Sequence, residues 1–440
     1  MDPTIVRHAL INAVQHNGHA EFKAVLGRMI AENPQLRSRI KDLIPQIKSI
    51  ISEINSWGLE KQLDQVLALG ITIEKKEVPQ GLPALPQAET GKVVMRLAPY
   101  PSGPLHIGNA RMVLLNDEYV KRYHGKLLLV MDDTIGSQQK HVIPEAYSLI
   151  LDGLQWLEVE HSEPIYKSDR LEIFYKYAKR LIFENHAYVC DCPRATMTRN
   201  RASGIECPCR DLSVEENLTR WKEMLDGAYR EGSAVVRLKT VMQHPNPAFR
   251  DRVLLRISER KHPRVGTKYR VWPLLEFSWA IDDHLLGVTH ILRGKDLIIE
   301  DLMEKDIWQK LGWDTPEFIH YGMLRIKEAK LSKSTARRAI EQGKMQGWDD
   351  PQTWSLQALR KRGIHPKAVR TFIVNMGLSM NDVNLPADIL YAENRKIIDS
   401  SAHRYFAVFN PKPIILNGKK YPKTIYAPRH PEFPEKGLRE

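Results

Sequence analysis

The chain has 440 residues, which is too long for one ordinary hydrophobic core and therefore predicts two to four domains. Hydrophobic residues make up 42% and charged residues 27%, a balance typical of soluble globular proteins, and the absence of a run of ~18 apolar residues predicts no membrane span. The formal net charge is +12, and residues 91–440 carry all of it, because residues 1–90 contain ten basic and ten acidic residues.

This charge distribution indicates a polyanionic partner for the main body of the chain. A basic surface that only aids solubility would have the same composition, so charge alone does not choose between the two. The first residues lack the basic and apolar segments of a secretory signal. We therefore expect a cytoplasmic protein.

Residues 1–80 are predicted to form a helical domain. Apolar residues recur at helical spacing between Phe22 and Ile30 and again between Ile40 and Ile54, with Pro45 expected near a helix start or at a kink. Residues 79–86 contain several prolines and a glycine and cannot continue a helix. They predict a linker to the rest of the chain.

A strand, a loop, a helix and a second strand are predicted directly after this linker. Residues 92–97 and 126–131 are short apolar runs typical of buried strands, and residues 99–104 form a loop rich in Gly and Pro. An amphipathic helix is predicted from His106 to about residue 123. This order is typical of the start of a nucleotide-binding, doubly wound α/β sheet.

The start of this predicted helix has the sequence PLHIGN at 104–109 and is a candidate phosphate site. A helix N-terminus offers free N–H groups and the positive end of its dipole to phosphates. Gly108 permits close approach of a nucleotide, and the His106 imidazole can hydrogen-bond a phosphate oxygen. Taken alone, such a triplet is common, and an ordinary helix start is the better interpretation.

A second cationic motif, KLSKS at 330–334, follows much later in a basic stretch. Two lysines flanked by serines can form a mobile clamp where negative charge develops on a triphosphate. A solvated basic loop is the simpler interpretation of any one such run.

Together, the two motifs resemble the paired signatures of class I aminoacyl-tRNA synthetases, which carry them in this order. The segment RLAPYPSGPLH at 96–106 is similar to the glutamyl/glutaminyl branch of that family. Further similar segments lie at 281–290, 292–296, 347–351, 358–363 and 394–399. The helical front also resembles the archaeal type of glutamyl enzyme, so the resemblance extends over nearly the whole chain.

The resemblance implies an α/β fold with a Rossmann-type class I synthetase catalytic domain at 88–325. An insert at about 187–265 would bind the tRNA acceptor end, and a helical stem-contact domain would follow at 326–400. Residues 401–440 would begin an anticodon-binding β-barrel that the chain leaves incomplete. The helical N-terminal domain at 1–80 precedes all of these.

The activity implied is ATP-dependent activation of L-glutamate to glutamyl-adenylate, with Mg²⁺, and transfer of the glutamyl group to the 3′ end of tRNA. A monomer is expected. Three alternatives remain open: a glutaminyl enzyme of the same fold, an enzyme that also charges glutamine tRNA with glutamate, and a non-catalytic tRNA-binding paralogue.

The resemblance assigns the chemistry to His106 on the phosphates and Lys333 on the departing pyrophosphate. The full set of implied ATP-binding residues is Pro99, Ser102, Gly103, His106, Gly108, Asn109, Lys330, Ser332, Lys333 and Ser334.

The implied amino-acid site contains two arginines, Arg96 and Arg293. Arg96 ends a predicted strand beside the nucleotide loop, where its planar guanidinium can hold the glutamate side-chain carboxylate with two parallel hydrogen bonds. The alternative for Arg96, and equally for Arg293, is a structural ion pair with an acidic residue. Asp282 or Asp283 would bind ribose hydroxyls or form internal hydrogen bonds. The implied amino-acid-binding residues are Arg96, Ser102, Asp132, Trp272, Leu275 and Arg293.

Contacts to tRNA are expected from the basic segment after the second motif. The residues implied are Trp348, Arg360, Lys361 and Arg362. Their contribution would be salt-sensitive, because it comes from phosphate contacts.

Several positions depart from the family pattern. Asn109 replaces the second histidine of the first motif, and VMDDTI at 130–135 replaces the usual pattern that begins with arginine and ends with aspartate. Leu275 stands in place of the usual tyrosine, and Leu297 in place of a histidine. These changes fit either a divergent orthologue or an altered paralogue.

All four cysteines lie within twenty residues, at Cys190, Cys192, Cys207 and Cys209. Four thiolates in two close pairs are typical of a structural zinc site, and the resembled family often has a zinc knuckle in this insert. The one-residue spacing within each pair is unusual, and buried free thiols are the alternative.

Overall fold

The computed structural model describes residues 2–16, 18–71, 81–135, 141–329, 331–405, 407–413, 415 and 424–439. The chain divides into two compact units, Met1–Gln80 and Gly81–Glu440. Within the described residues, no helix is both long enough and apolar enough to cross a membrane. The predicted linker at 79–86 is described only from residue 81, and residues 81–86 form neither helix nor strand.

The first unit is a bundle of helices. They are α1 (Pro3–Gln15), α2 (Phe22–Glu32), α3 (Ile40–Ser56) and α4 (Leu59–Ala68), with a short 3₁₀ helix at Pro34–Arg39. The Asp2 carboxylate begins α1 by accepting hydrogen bonds from the N–H groups of Thr4 and Ile5. Apolar faces of these helices meet in one core that includes Ile5 and Ile47. Pro45 lies inside α3 and does not begin it.

The second unit starts with parallel strands connected by helices, as the order of predicted elements requires. Its first elements are β1 (Val94–Leu97), α5 (Ile107–Arg122), β2 (Lys126–Met131), α6 (Pro144–Trp156), β3 (Ile165–Tyr166) and α7 (Leu171–Phe183). These three strands pair in parallel in the order β1–β2–β3.

An antiparallel sheet interrupts the parallel one. It follows the order β4–β5–β6–β7 and extends beyond the predicted end of the insert at about 265. A reciprocal capping box between Ser213 and Glu216 begins its second helix. The elements are β4 (Ala187–Cys190), α8 (Arg194–Ser203), α9 (Val214–Asp226), β5 (Val235–Leu238), β6 (Val253–Ile257) and β7 (Val271–Pro273).

The chain then returns to the parallel layer. The elements are α10 (Leu275–Leu285), β8 (His290–Gly294), α11 (Ile298–Leu311) and β9 (Glu317–Tyr321). Strands β8 and β9 are parallel, and Thr289 joins β8 to β1: its N–H donates to the Val94 carbonyl at 2.9 Å, and the Val94 N–H donates to its Oγ1 at 2.9 Å. The strands therefore lie in the order β3–β2–β1–β8–β9. Ligands of such sheets bind where the order reverses, here between β1 and β8.

Alternate residues of the parallel strands belong to different hydrophobic clusters. Leu127 and Leu129 pack into a core with α5, α6 and a later helix, α14 (Pro366–Asn375), whereas Leu128 packs against a second core formed with α7, α10 and α11. Leu292 and Ile291 divide in the same way. Since successive strand residues point to opposite faces, both faces of this layer are covered.

Helices predominate after the parallel layer. The elements are β10 (Leu324–Ile326), α12 (Lys333–Glu341), α13 (Leu356–Lys361), α14 (Pro366–Asn375), β11 (Val383–Leu385) and α15 (Ala387–Ile398). Strands β10 and β11 pair in parallel, so residues 324–326 belong with the segment that follows.

The expected β-barrel strands near 405–411 are not formed by the described residues of that segment. The described part of 401–440 contains only the two-residue strands β12 (Ala427–Pro428) and β13 (Leu438–Arg439), which pair with each other. Tyr405 and Phe409 are 80% and 90% exposed, so no layer formed by the described residues covers these apolar side chains. An apolar run becomes a barrel strand only when neighbouring strands cover one of its faces.

Candidate functional site

A cleft of about 430 Å³ lies at the carboxyl end of β1. It brings together the loop after β1, the first turns of α5 and the second motif, although 230 residues separate Gly103 from Lys333. The lining residues are Ala98, Pro99, Tyr100, Ser102, Leu105, Asn109, Met112, His141, Lys333, Ser334 and Arg337.

Half of the expected ATP-binding residues line this cleft, namely Pro99, Ser102, Asn109, Lys333 and Ser334. His106 and Ser332 instead line a smaller cavity beside it, together with Lys333 and Trp348. Lys330, also expected here, lies outside the described residues. Six further lining residues were not among those expected to bind ATP, namely Ala98, Tyr100, Leu105, Met112, His141 and Arg337.

The N-terminus of α5 differs from the sequence prediction, because its N–H groups already have acceptors. The His106 side chain caps the helix: its Nδ1 accepts hydrogen bonds from the N–H groups of Gly108 and Asn109 at 3.1 and 3.3 Å. The Asn109 amide oxygen accepts from the His106 N–H at 3.2 Å, which completes a reciprocal capping box. The N–H of Ile107 donates to the Trp354 carbonyl. Free N–H donors were the wrong expectation, since the motif histidine occupies them.

The cap determines the protonation of His106. Because Nδ1 accepts two hydrogen bonds, the ring proton belongs on Nε2. Burial and the nearby Lys333 ammonium lower the pKa of the imidazole to about 3. His106 is therefore a neutral donor through Nε2 near pH 7. The same geometry gives a role to asparagine at position 109, since its amide oxygen accepts the His106 N–H in the cap.

This protonation state predicts a specific pH dependence of stability. An unfolded histidine titrates near 6.5 while folded His106 titrates near 3, so the unfolded state binds more protons between these values. The contribution of neutral His106 to stability is complete above pH ~6.5 and is lost as pH falls toward ~3. We expect the difference in Tm between the wild type and His106→Asn to shrink between pH 7.5 and 5.0. Asparagine also caps helices, so a pH-independent difference would contradict this protonation state.

Close packing requires glycine at two positions, Gly103 in the loop before the first motif and Gly108 within the motif. Gly103 has a φ of +152°, and a Cβ at this position would lie 2.9 Å from the Trp348 ring. A Cβ on Gly108 would lie 2.9 Å from His106 Cε1 and 3.3 Å from Leu331 Cδ1. The two motifs are thus in contact. Trp348, expected to meet tRNA, is half-buried and packs its ring against the loop at Gly103.

Lys333 reaches directly across to the first motif. Its Nζ donates a hydrogen bond to the Gly103 carbonyl at 3.2 Å, and the residue begins α12 just after Ser332, whose hydroxyl caps that helix. The Lys333 ammonium is therefore held at the wall of the cleft, where it can donate a charge-assisted hydrogen bond to a phosphate oxygen of a bound nucleotide.

Arg96 is held by Asp283. Its Nε and Nη2 donate to the two carboxylate oxygens of Asp283 at 2.5 and 2.8 Å, and its guanidinium lies 3.2 Å from the Trp279 ring centroid. The structural ion pair considered from the sequence is thus present. Nη1 has no hydrogen-bond partner among the described residues, so one edge of the guanidinium is not used by Asp283.

A second buried cation, Lys167, lies on the same indole and was not found from the sequence. Its Nζ is 4.2 Å from the Trp279 centroid, donates to Ser278 Oγ at 2.7 Å and lies 3.2 Å from an Asp132 carboxylate oxygen. The Asp132 N–H donates to the Pro99 carbonyl of the cleft loop. No local pattern marks Lys167, because its partners come from two distant segments, at Asp132 and at 278–279.

The remaining acidic and basic candidates form internal pairs. All three guanidinium nitrogens of Arg293 bond to carboxylates, Nε and Nη2 to Asp301 and Nη1 to Glu304 at 2.9 Å. This triad supports the ion-pair alternative for Arg293, because each of its three nitrogens already donates to a carboxylate. The Asp282 carboxylate accepts from Arg170 Nε at 2.7 Å. Asp283 accepts hydrogen bonds from Arg96, so both aspartates form internal hydrogen bonds, one of the two roles expected for them.

The last two expected amino-acid contacts are Trp272 and Leu275. Trp272 is fully buried and stacks on His262 at 5.1 Å between ring centroids. Leu275 is half-buried at the first position of α10. Neither residue lines the cleft. Trp272 belongs to the hydrophobic core of the second unit, because its neighbours on β6 and β7 enclose it.

The basic residues expected to meet tRNA have partners on the protein surface. Arg360 binds Asp152 through two hydrogen bonds of 2.9 and 3.1 Å, and Lys361 donates to Asp349 at 2.8 Å. The Arg362 guanidinium lies 4.4 Å from the Trp354 ring centroid. Exposed ion pairs contribute little stability, so a phosphate can replace these carboxylates at small cost.

The four cysteines form one cluster. All four Sγ atoms lie within 4.8 Å of one another, with 3.8 Å between Cys190 and Cys207 and 3.6 Å between Cys192 and Cys209. Zinc with Zn–S bonds of about 2.3 Å in a tetrahedron requires S–S separations of about 3.8 Å. The number, type and spacing of these donors therefore fit a closed zinc site.

Comparisons with known proteins identify the family of this chain. Residues 92–400 match the family described as tRNA synthetases class I (E and Q), catalytic domain. A glutamate–tRNA ligase of Pyrococcus horikoshii is 47% identical over 440 residues, which cover 99% of this chain and 77% of that protein. A glutamate–tRNA ligase of Methanocaldococcus jannaschii is 44% identical over 440 residues, covering 100% of this chain and 78% of that protein.

A solved structure shares the fold. The glutamate-tRNA synthetase of Elizabethkingia anophelis aligns with a TM-score of 0.50 and 20% identity, over 70% of this chain and 71% of that chain. The family match covers most of the chain, and it includes both motifs that meet at the cleft. The chain therefore belongs to the class I tRNA synthetases of the E and Q group.

Proposed function

We propose that this protein is a glutamate–tRNA ligase that activates L-glutamate with ATP and transfers it to the 3′ end of tRNA. The observation that carries the proposal is the single cleft at the switch point of the sheet, which unites the first-motif loop with Lys333 of the second motif. Relatives bearing this name match nearly the entire chain.

The reaction has two steps. The α-carboxylate of glutamate attacks the α-phosphorus of ATP, and the bond to the bridging oxygen breaks as pyrophosphate leaves. The terminal ribose hydroxyl of tRNA then attacks the glutamyl carbonyl carbon, and AMP leaves. Such chemistry depends on positioning and on stabilising negative charge. Members of the family use ATP with Mg²⁺, which neutralises charge on the triphosphate.

The residues of the cleft and of the smaller cavity beside it suit these requirements. Neutral His106 donates a hydrogen bond from Nε2 to a phosphate oxygen, since Nδ1 is committed to the helix cap. Lys333 stabilises the departing pyrophosphate from the opposite motif. Ser102 and Asn109, which both line the cleft, would provide further polar contacts to the nucleotide.

Arg96 would recognise the glutamate side chain through the edge of its guanidinium that Asp283 does not use. The bidentate bond to Asp283 and the stack on Trp279 hold that edge in one orientation. A charged γ-carboxylate gains a charge-assisted hydrogen bond there, which the neutral amide of glutamine lacks. Arg96 is therefore retained in the proposed site, whereas Arg293 is not.

Two further components belong to the proposal. Phosphates of the tRNA backbone would replace Asp152 and Asp349 as the exposed partners of Arg360 and Lys361. The four cysteines would hold a structural zinc ion in the antiparallel insert, where they tie β4 to the segment at 207–209. Zinc there would stabilise the local fold and take no part in the reaction.

The deciding experiment is pyrophosphate exchange and aminoacylation with purified full-length protein, unfractionated archaeal tRNA, and glutamate or glutamine. We expect glutamate to support both reactions and glutamine neither. Charging with glutamine alone would instead identify a glutaminyl enzyme. Salt-sensitive tRNA binding without exchange on either amino acid would identify a non-catalytic tRNA-binding paralogue.

A further inference from the structure

Arg237 is only 1% exposed, yet within the described residues it forms no ion pair with Asp or Glu. Its Nη2 has no hydrogen-bond partner among them either. The nearest acidic residue, Asp251, directs its carboxylate to Arg210 at 2.7 Å and to the Tyr188 hydroxyl at 2.9 Å. An arginine stays charged, and burying a charge without a counter-charge is costly.

The sulfur atoms are the neighbours that can supply the missing negative charge. Arg237 Nη1 lies 3.7 Å from Cys190 Sγ and 3.6 Å from Cys207 Sγ, so one nitrogen contacts both atoms. The Nε atom donates to the Asp251 carbonyl at 2.8 Å, which fixes the direction of the guanidinium. Arg237 therefore points at the cysteine cluster from a defined position.

The sheet itself produces this contact. In the antiparallel pair β4–β5, Tyr188 lies opposite Arg237 and Cys190 lies opposite Val235. Because side chains alternate along a strand, Tyr188 and Cys190 share one face of β4, and Arg237 points to the same face from β5. The register thus brings the guanidinium to the sulfur of Cys190.

We propose that Arg237 is a positioning residue that compensates the negative charge of a metal-bound cysteine cluster and thereby strengthens metal binding. Four thiolates around one divalent ion leave an excess of negative charge in a buried place. A fixed cation that donates to two of the sulfur atoms lowers the cost of that charge. The proposal rests on the cysteine site described above and concerns a residue outside its four ligands.

The test compares Arg237→Met and Arg237→Lys with Arg270→Met in the full-length protein. Arg270 is a suitable control because it directly precedes β7 of the same antiparallel sheet, is partly buried and donates to the Met224 and Tyr229 carbonyls without touching a cysteine. The affinity for Zn²⁺ is measured by competition with a coloured chelator. Co²⁺ then replaces zinc, and the thiolate-to-cobalt charge-transfer band is recorded.

We expect Arg237→Met to weaken zinc binding by about 10–100-fold and Arg270→Met to leave it unchanged. Arg237→Lys retains the charge but cannot reach both sulfur atoms equally, so its affinity should lie between those of the wild type and Arg237→Met. The cobalt band of Arg237→Met should shift to longer wavelength, because the thiolate electrons lose a nearby cation. Loss of packing alone would not shift it.

Three outcomes overturn the inference. Equal affinity and equal cobalt spectra in Arg237→Met and wild type would remove any role for this residue. Equal loss in Arg237→Lys and Arg237→Met would show that charge is not the cause. Failure of the wild type to bind zinc or cobalt would overturn both this inference and the cysteine site, whereas the first two outcomes leave that site intact. If Arg237→Met does not fold, Arg237→Lys and its cobalt spectrum decide.

Discussion

Replacing Lys333 by alanine is expected to lower the rate of glutamate-dependent pyrophosphate exchange by about 10²–10³-fold. The Lys333 ammonium is held at the cleft wall by the Gly103 carbonyl, where it can stabilise charge that grows on the departing pyrophosphate. Because that charge is greatest in the transition state, the loss should fall mainly on kcat. The measurement is exchange of labelled pyrophosphate with saturating tRNA.

The matched control is Lys344→Ala, which removes an exposed lysine just beyond the end of α12. It changes the net charge equally and should leave exchange unaltered. If Lys333→Ala retained near-normal kcat, the second motif would be a solvated basic loop, which is the simpler interpretation of its sequence.

A double-mutant cycle on Arg96 and Asp283 separates the two roles of Arg96. Asp283→Leu leaves a buried guanidinium without its carboxylate and is expected to lower the free energy of unfolding by about 3–5 kcal/mol. Replacing both residues by leucine should recover much of this loss, because an apolar pair replaces a buried ion pair. Urea titration of the full-length protein measures each variant.

Activity then distinguishes recognition from structure. If Arg96 binds the γ-carboxylate, the double variant should be folded yet fail to activate glutamate. If the double variant recovers exchange together with stability, Arg96 serves only the fold and the proposed recognition is wrong. Arg170→Leu is the control, because it breaks the neighbouring pair with Asp282 without touching Arg96.

Local spacing was sufficient to predict the elements near the site. The strand at 92–97, the helix after His106 and the strand at 126–131 correspond to β1, α5 and β2 within about two residues. Apolar periodicity also predicted α2 and α3 of the first unit, because helical faces repeat over short distances. The cysteine cluster was visible as well, since its four members lie close together in the chain.

The resemblance to a known family supplied what local patterns could not. Periodicity alone would have left PLHIGN and KLSKS as an ordinary helix start and a basic loop. Their meeting at one cleft depends on a parallel sheet that separates and then reunites segments 230 residues apart. At 405–411 an apolar pattern predicted barrel strands that the structure does not form, because the described residues provide no neighbouring strands to pair with them.

The sequence by itself determined the helices, the first strands, the two motifs and the cysteine cluster, because each depends on residues that are near neighbours in the chain. Only the tertiary structure decided which charges meet. Arg96 binds an aspartate 187 residues away, and Arg293 donates to the carboxylates of Asp301 and Glu304. Arg237 contacts the sulfur atoms of two cysteines instead of a carboxylate. Even the free N–H groups expected at α5 were removed by the imidazole of His106. Hydrogen bonds and ion pairs are decided within a few ångströms, and the order and register of distant strands set those distances.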